Sequence, residues 1–469
     1  MLAALAAVPA IALAGVWQYA DANVPPPTTT TTTTLPPPPV EALATDLLSF
    51  RRHPSPLADR VAAAASEAAT LERVAALAEG IGDGSCVRLV SGGDVIAETN
   101  PVLPVIPASN EKLLVAAVAL ETLGTDHRFR TELRSLPPSG TVVVGDLYLV
   151  GGGDPLLRTA DMVDPQRHPA VNTTALEPLA DQLVTLGITR IDGNIVGDGS
   201  RYDDEFRAPS WGDELTSVDA GPYDALLVND GLIAPGEYGL DPSRSAARIF
   251  LDLLTARGIS VGGSAANDTR PDDPAFTTLA SIESAPLDDV LVEMLHTSDN
   301  NTAEMMVKEI GVAAGGQGTR QAGLDVIRST LATWGVPLDG VDLQDGSGLS
   351  RSDRVTCTVL SDLLSVSPVA DQLRSLLPVA GRDGTLADQL VGTEAEGELQ
   401  AKTGTLTGVK ALTGSMRSAD RTQVEFSLVL NGDAVDEPSV YEPVWKRIVA
   451  LVADLPIVVR PDVGSFAPR

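Results

Sequence analysis

The chain has 469 residues, which is too long for one compact core and predicts two to three domains. Hydrophobic residues make up 43% and charged residues 20% of the sequence, so most of the chain should fold. The net charge of −30, with no run of lysine or arginine, argues against a nucleic-acid partner and against a polybasic membrane patch.

The N-terminus indicates export. Residues 1–22 hold an apolar run from Leu2 to Val16, which is short for a membrane span of about 20 residues and typical of a signal peptide. A basic n-region is missing, so either the true start lies upstream or the signal is atypical, and an uncleaved membrane anchor is the alternative. Residues 23–45, a Pro/Thr-rich linker, predict an extended spacer. We therefore expect an extracytoplasmic protein, with a membrane tether if residues 1–22 are retained.

The predicted elements begin with a helix over residues 56–80 and a hairpin of residues 85–90 and 94–98. A second helix runs from Ser109 to Leu123 and stops at Gly124. Residues 129–280 then change character, because short strands and turns alternate there with helices at 176–186 and 246–257. This segment is predicted as a mainly β inserted region of one or two small domains.

Helices return after Pro286, at 287–295, 302–312 and 321–334. The chain closes with strands near 399–403, 410–416 and 423–430 and a helix at 440–455. A hairpin first, helices in the middle and strands last predict an α+β fold whose antiparallel sheet joins both ends of the chain. Residues 46–128 and 281–469 would form this one discontinuous domain.

Cysteine and histidine usage limits the cofactors. Four histidines lack metal-ligand spacing, so we expect no metal site and no cofactor. Gly151-Gly152-Gly153 lacks the spacing of a phosphate loop, which argues against a nucleotide. Cys86 and Cys357 either form a disulfide in an oxidising compartment or remain buried thiols.

Ser109 and Lys112 lie three positions apart on a predicted helix, which places both side chains on one face. A serine hydroxyl needs a positioned base, and a lysine can act as one when burial or a neighbouring cation lowers its pKa. Lys402 is the candidate cation. Alone, the pair is more often an exposed helix face, but it holds one of only five lysines in the chain.

Ser298-Asp299-Asn300 lies between two predicted helices, where each of these residue types also serves as a helix cap. We predict that Ser298 relays a proton between Lys112 and a leaving amine and that Asn300 hydrogen-bonds a substrate amide. Asp299 is expected to orient the loop.

Lys402-Thr403-Gly404-Thr405 lies on a predicted strand, along which an extended peptide can bind by β-augmentation. We predict that Lys402 and Thr403 anchor a carboxylate in a substrate-binding segment that includes Thr405. Gly404 would let the ligand backbone approach closely. The backbone N–H groups of Ser109 and Thr405 would form the oxyanion hole.

The three motifs, in this order, are those of penicillin-binding proteins and class A β-lactamases. Together with the blocks at 107–112, 149–155, 345–351 and 401–406, they make the chain resemble a known family. That family is the S13-type D-alanyl-D-alanine carboxypeptidases/endopeptidases, the class C low-molecular-mass penicillin-binding proteins. Members of that family carry a domain-sized insert between the first two motifs. In this chain 185 residues separate Lys112 from Ser298, which leaves room for such an insert. In class A β-lactamases the two motifs lie closer together.

The resemblance implies a penicillin-binding transpeptidase-like domain and a serine-type DD-carboxypeptidase, with or without DD-endopeptidase activity. Peptidoglycan stem peptides would be the substrates, Ser109 would carry the acyl-enzyme, and β-lactams would be covalent inhibitors. The alternatives are a β-lactamase or esterase of the same fold and a non-catalytic wall-binding or β-lactam-sensing protein. Lys410 replaces a small or polar residue of the family, and it either alters substrate preference or faces solvent.

Overall fold

The computed structural model describes residues 80–162, 170–212 and 219–455, together with residues 66, 68–69 and 72–77. The predicted signal peptide or anchor and the predicted linker lie outside these residues. The described residues just before Gly80 are helical, in agreement with the predicted helix. Within the described residues, no helix combines the length and apolarity needed to cross a membrane.

The first ordered elements are a hairpin and a buried helix. Strands β1 (Cys86–Ser91) and β2 (Asp94–Thr99) pair antiparallel, as predicted. A 3-10 turn (Ala108–Glu111) leads into helix α1 (Lys112–Leu123), whose first nine residues are all buried. Gly124 ends the helix with a φ of 79°, a conformation that favours glycine.

The next part of the chain forms short strands and two helices, in the order β3 (Arg130–Ser135), β4 (Val142–Val143), β5 (Leu147–Val150), β6 (Leu157–Arg158), β7 (Thr174–Ala175), α2 (Glu177–Thr185), β8 (Arg190–Ile191), β9 (Ile195–Asp198), β10 (Leu232–Ala234), β11 (Glu237–Tyr238), α3 (Pro242–Ala256), β12 (Ser260–Val261), β13 (Ala265–Asn267) and β14 (Thr277–Glu283).

These strands build a five-stranded sheet of order β13-β9-β5-β3-β14 and a smaller one of order β12-β8-β4. Pairing is antiparallel on the β3 side and parallel among β5, β9 and β13. Both helices contribute to a hydrophobic core of their own with the sheet, including Leu133, Leu183 and Phe250. Strand residues outnumber helical ones, and β14 runs three residues past the predicted boundary at 280. The inserted-domain limits stay a prediction.

The chain then returns to helices, α4 (Leu287–Thr297), α5 (Asn300–Ile310), α6 (Arg320–Thr333), α7 (Cys357–Ser365) and α8 (Ala370–Ser375). The first three match the predicted helices within a few residues, whereas α7 and α8 were not predicted. Strands β15 (Gln400–Leu406), β16 (Val409–Arg417) and β17 (Gln423–Asn431) and helix α9 (Pro438–Ala453) complete the fold.

The main sheet joins both ends of the chain in the order β15-β16-β17-β1-β2, and every pairing in it is antiparallel. Phe426 and Leu428 of β17 pack with Trp445 of α9, while Val429 belongs to the core that holds helix α1. The sheet is therefore covered by helices on both faces. One of its two edge strands is β15, which carries the third motif.

Cys86 of β1 and Cys357 of α7 form a disulfide with a Cα–Cα distance of 5.9 Å, which decides between the two alternatives that the sequence left open. The bond links residues 271 positions apart and ties the main sheet to the helices behind it.

Candidate active site

The first motif lies on the 3-10 turn at the start of α1. Ala108 has a φ of 48°, a left-handed conformation that is unusual for a residue other than glycine. The turn places Ser109 next to Lys112, with 3.0 Å between Lys112 Nζ and Ser109 Oγ. The two side chains therefore meet on one face, as the spacing predicted.

Lys112 is fully buried and donates to three acceptors. Besides Ser109, these are Asn300 Oδ1 and the backbone carbonyl of Ser347, each 2.7 Å from Nζ. Burial lowers the pKa of Lys112 to about 8, although nearby carboxylates, led by Asp345, act in the opposite direction. An ammonium with this pKa loses its proton within reach of neutral pH, so Lys112 can serve as a base.

The second motif lies between α4 and α5. Ser298 ends α4 with a φ of 64°, and Asp299 caps α5 by accepting the Thr302 N–H at 2.5 Å. Asn300 bonds to Lys112 through Oδ1 and donates from Nδ2 to the Asp219 carbonyl at 2.6 Å. The tripeptide is thus a helix cap and also part of the site.

The third motif lies on β15, as predicted. Lys402 is fully buried and donates to Ser298 Oγ at 2.8 Å and to the Thr403 carbonyl at 2.9 Å. We predicted that Ser298 would work with Lys112, but its hydrogen-bond partner among the described residues is Lys402. Ser298 lies beside Lys402 because the αL turn after α4 points it toward the sheet.

The sequence left open whether burial or the charge of Lys402 would lower the pKa of Lys112. Burial is the main cause of that shift. The pKa of Lys402 is itself held well below its ordinary value, first by burial and then by the charges of Lys112 and Lys410. The charge of Lys112 therefore opposes protonation of Lys402.

The outer edge of β15 is partly covered and partly open. Ala401 N–H donates to the Pro378 carbonyl on the side of the strand away from β16. Because backbone groups alternate along a strand, those of Thr403 and Thr405 face the same outer side. An extended ligand can add to the sheet there, and the Thr405 N–H points toward it.

The absence of a side chain at Gly404 allows a close contact that the sequence did not predict. A Cβ at this position would lie 2.8 Å from the Pro107 carbonyl oxygen and 3.2 Å from Ala108 Cβ. We expected Gly404 to let a ligand backbone come close. That role stays a prediction, and in the structure the missing side chain also lets β15 approach the turn that carries Ser109.

The loop that supplies the Ser347 carbonyl, residues 345–351, had no predicted role of its own. Buried Glu304 of α5 holds it by accepting the N–H groups of Gly346 and Ser347 at 2.9 and 2.8 Å. Asp345 accepts from Trp211 Nε1 at 2.7 Å, so the inserted segment also braces the loop. The role of Glu304 could not be predicted from the sequence, because an isolated glutamate in a helix is too common to indicate a function.

Three buried acids, Glu111, Asp345 and Asp353, lie behind Lys112 with carboxylate oxygens within 4.8 Å of one another. Burial and neighbouring acids raise the pKa of Glu111 well above its ordinary value and that of Asp353 to about 9. With a pKa of about 9, Asp353 holds a proton at neutral pH, which lowers the negative charge of this cluster.

These elements form two hydrogen-bonded groups, one of Ser109, Lys112 and Asn300 and one of Ser298, Lys402 and Thr403. The two groups are close enough for the charge of Lys112 to lower the pKa of Lys402. The model of the D-Ala-D-Ala carboxypeptidase 3 (S13) family matches residues 68–238 and 239–454. The chain belongs to this family. Its curated relatives include a D-alanyl-D-alanine carboxypeptidase of Actinomadura, 30% identical over 77% of this chain and 79% of that protein. A carboxypeptidase of Mycobacterium tuberculosis is 31% identical over 70% of this chain and 72% of its own length.

Solved structures agree with this membership at the level of the fold. Penicillin-binding protein 4 of Haemophilus influenzae superposes on this S13 peptidase with a TM-score of 0.68, 22% identity, and coverage of 81% of this chain and 98% of that one. The predicted family and fold class are confirmed, and so is the predicted enzyme class, a serine-type D-Ala-D-Ala carboxypeptidase.

Proposed function

We propose that this S13 peptidase hydrolyses the D-Ala–D-Ala bond of peptidoglycan stem peptides through an acyl-enzyme on Ser109. The observation that carries the proposal is the 3.0 Å contact between Ser109 Oγ and a buried lysine whose pKa is about 8. When Lys112 is neutral it takes the hydroxyl proton as Ser109 Oγ attacks the carbonyl carbon.

The leaving amine needs a proton, and Ser298 is placed to give one. Because Lys402 donates to Ser298 Oγ, the hydroxyl hydrogen of Ser298 is left to point at the leaving nitrogen. Ser298 then recovers a proton from the lysine pair, which gained one when Lys112 deprotonated Ser109. Water attacks the resulting ester, its proton passes to the lysine pair, and Ser109 leaves with a proton as the second product forms.

Substrate binding is assigned to the open part of β15. The stem peptide adds to the edge at Thr403 and Thr405, next to Gly404, and the N–H groups of Ser109 and Thr405 stabilise the oxyanion. The hydroxyls of Thr403 and Thr405 face the terminal carboxylate, and Lys402 fixes Thr403 through its carbonyl. The second N–H of Asn300 is the donor for a substrate amide.

β-Lactams present a strained amide to the same nucleophile, so we propose that they acylate Ser109. The structure of Haemophilus influenzae penicillin-binding protein 4 with a bound β-lactam supports this, since that protein has the same fold. Because the peptidoglycan substrate lies outside the cytoplasm, we place the enzyme there. Residues 1–22 are the proposed export signal or membrane tether.

The direct test is incubation of the purified protein with a stem pentapeptide and with muropeptides, followed by mass analysis of the products. Loss of one D-alanine from the pentapeptide by the wild-type protein, and no loss with Ser109→Ala, is the expected result. Release of D-alanine by the Ser109→Ala protein would refute the assignment of the nucleophile.

A further inference from the structure

Lys410 lines a cavity beside the β15 segment that carries the third motif. The cavity has a volume of about 150 Å³ and is lined by Thr385, Asp388, Thr403, Thr405 and Lys410, with two aromatic residues of α9 on the far side. Thr403 and Thr405 are two residues apart on β15, and Lys410 is the cross-strand partner of Thr405 on β16, so their side chains share this face of the sheet.

The ammonium of Lys410 is held in a defined place. Nζ lies 2.9 Å from Thr405 Oγ1, 4.1 Å from the centre of the Tyr441 ring and 5.2 Å from that of Trp445. Cations are attracted to aromatic faces at these distances, which keeps the flexible lysine chain over α9 and beside Thr405. The site therefore presents a positioned positive charge.

Threonine hydroxyls line the same cavity as that charge. Thr403 Oγ1 lies 2.9 Å from Thr385 Oγ1, so three threonine hydroxyls line one small space together with the ammonium. An ammonium beside several hydroxyl donors suits a carboxylate. Asp388 also lines the cavity and opposes an anion, so the attraction depends on Lys410 rather than on a generally positive surface.

Lys402 is less suited to bind a carboxylate than its motif suggests. It is fully buried, its hydrogen bonds go to Ser298 and to the Thr403 carbonyl, and its pKa is held well below the ordinary value. Lys112 and Lys410 both lie near enough to Lys402 to lower its pKa, so three of the five lysines of the chain lie in this region.

We propose that Lys410, together with the Thr405 hydroxyl, binds the carboxylate that lies two bonds from the leaving nitrogen of the substrate, and so selects leaving groups that carry this charge. The inference rests on the proposed function, because the peptide bound along β15 brings this carboxylate to Thr403 and Thr405. It makes Lys410 a determinant of specificity and leaves the proton transfers to Ser109, Lys112 and Ser298.

The test compares two stem pentapeptides that differ only at the C-terminus, a free carboxylate in one and a carboxamide in the other. Lys410→Met keeps the apolar stem over Tyr441 and removes the charge. We expect kcat/KM for the carboxylate peptide to fall about tenfold and that for the carboxamide peptide to change less than twofold. Lys410→Arg should retain the preference. Lys446→Met, which removes an exposed lysine paired with Glu442 on the same helix, is the matched control.

An equal loss on both peptides would mean that Lys410 only supports the fold, and unchanged kcat/KM on both peptides would mean that it does not bind the carboxylate. Either result overturns the inference while the proposed function stands. If the wild-type protein cleaves neither peptide, the proposed function fails separately. The inference is then decided by acylation rates with benzylpenicillin and its methyl ester, whose ratio should also fall about tenfold in Lys410→Met.

Discussion

Lys402 Nζ lies 2.8 Å from Ser298 Oγ, although the two residues are 104 positions apart. This contact joins the edge strand of the main sheet to the turn between two helices. In the proposed mechanism, this contact gives Ser298 a donor on one side, so that its own hydrogen can serve the leaving nitrogen on the other.

Ser298→Ala should therefore slow the release of D-alanine by about 100-fold or more, because general-acid assistance of the leaving amine is lost. KM should change much less than kcat, since the hydroxyls of Thr403 and Thr405 remain. Steady-state kinetics on a stem pentapeptide check this, with Ser329→Ala on the exposed side of α6 as the control. A variant as active as the wild type would remove Ser298 from the mechanism.

The pKa of Lys112 predicts how acylation depends on pH. Below about 8 its ammonium is protonated and cannot accept the Ser109 proton, so the rate should rise with pH and level off above that value. Stopped-flow acylation by a chromogenic β-lactam over pH 6 to 10 measures the profile. A rate that is flat across this range would contradict the assignment of Lys112 as the base.

Glu304 should set the position of that pH profile. Its carboxylate raises the pKa of Lys112, and burial raises its own pKa to about 7, so it is ionised where Lys112 titrates. Glu304→Gln keeps an oxygen for the N–H groups of Gly346 and Ser347 but removes the charge. The midpoint of the acylation profile should move to lower pH.

Asp325→Asn, an exposed acid on α6, is the control for the Glu304 variant and should leave the midpoint unchanged. A midpoint that moves to higher pH in Glu304→Gln would show that the charge of Glu304 does not act on Lys112 as the structure implies.

Gly404→Ala should reduce acylation without abolishing the fold. The added Cβ meets the Pro107 carbonyl at 2.8 Å, so β15 and the Ser109 turn must move apart. A small displacement of the oxyanion donors relative to the nucleophile can cost about 100-fold in rate. Acylation kinetics and thermal unfolding should be measured together, and an alanine variant with wild-type acylation would show that the close approach is not needed.

Much of this site could be predicted from short stretches of sequence. Ser109, Lys112, Ser298 and Lys402 sit in short motifs whose helix, turn and strand were predicted, because hydrophobic periodicity and turn residues act over a few positions. The resemblance to the S13 family then predicted that the three motifs form one active site.

Contacts between distant segments were not predictable. The partner of Ser298, the bond between Cys86 and Cys357, and the Glu304 support of the loop at Ser347 all join positions that local patterns cannot relate. Helices α7 and α8 were missed as well, and the parallel pairing in the inserted sheet depends on strands far apart in the chain. Lys410 was ambiguous for the same reason, since only the fold places it over Tyr441 and beside Thr405.

The most direct test of the central claim is intact-mass analysis of the protein after exposure to benzylpenicillin, followed by peptide mapping. The account predicts one penicilloyl group per wild-type chain, located on the peptide that contains Ser109, and no addition to Ser109→Ala. A stable adduct on the Ser109→Ala protein, or an adduct of the wild type on any other residue, would contradict it.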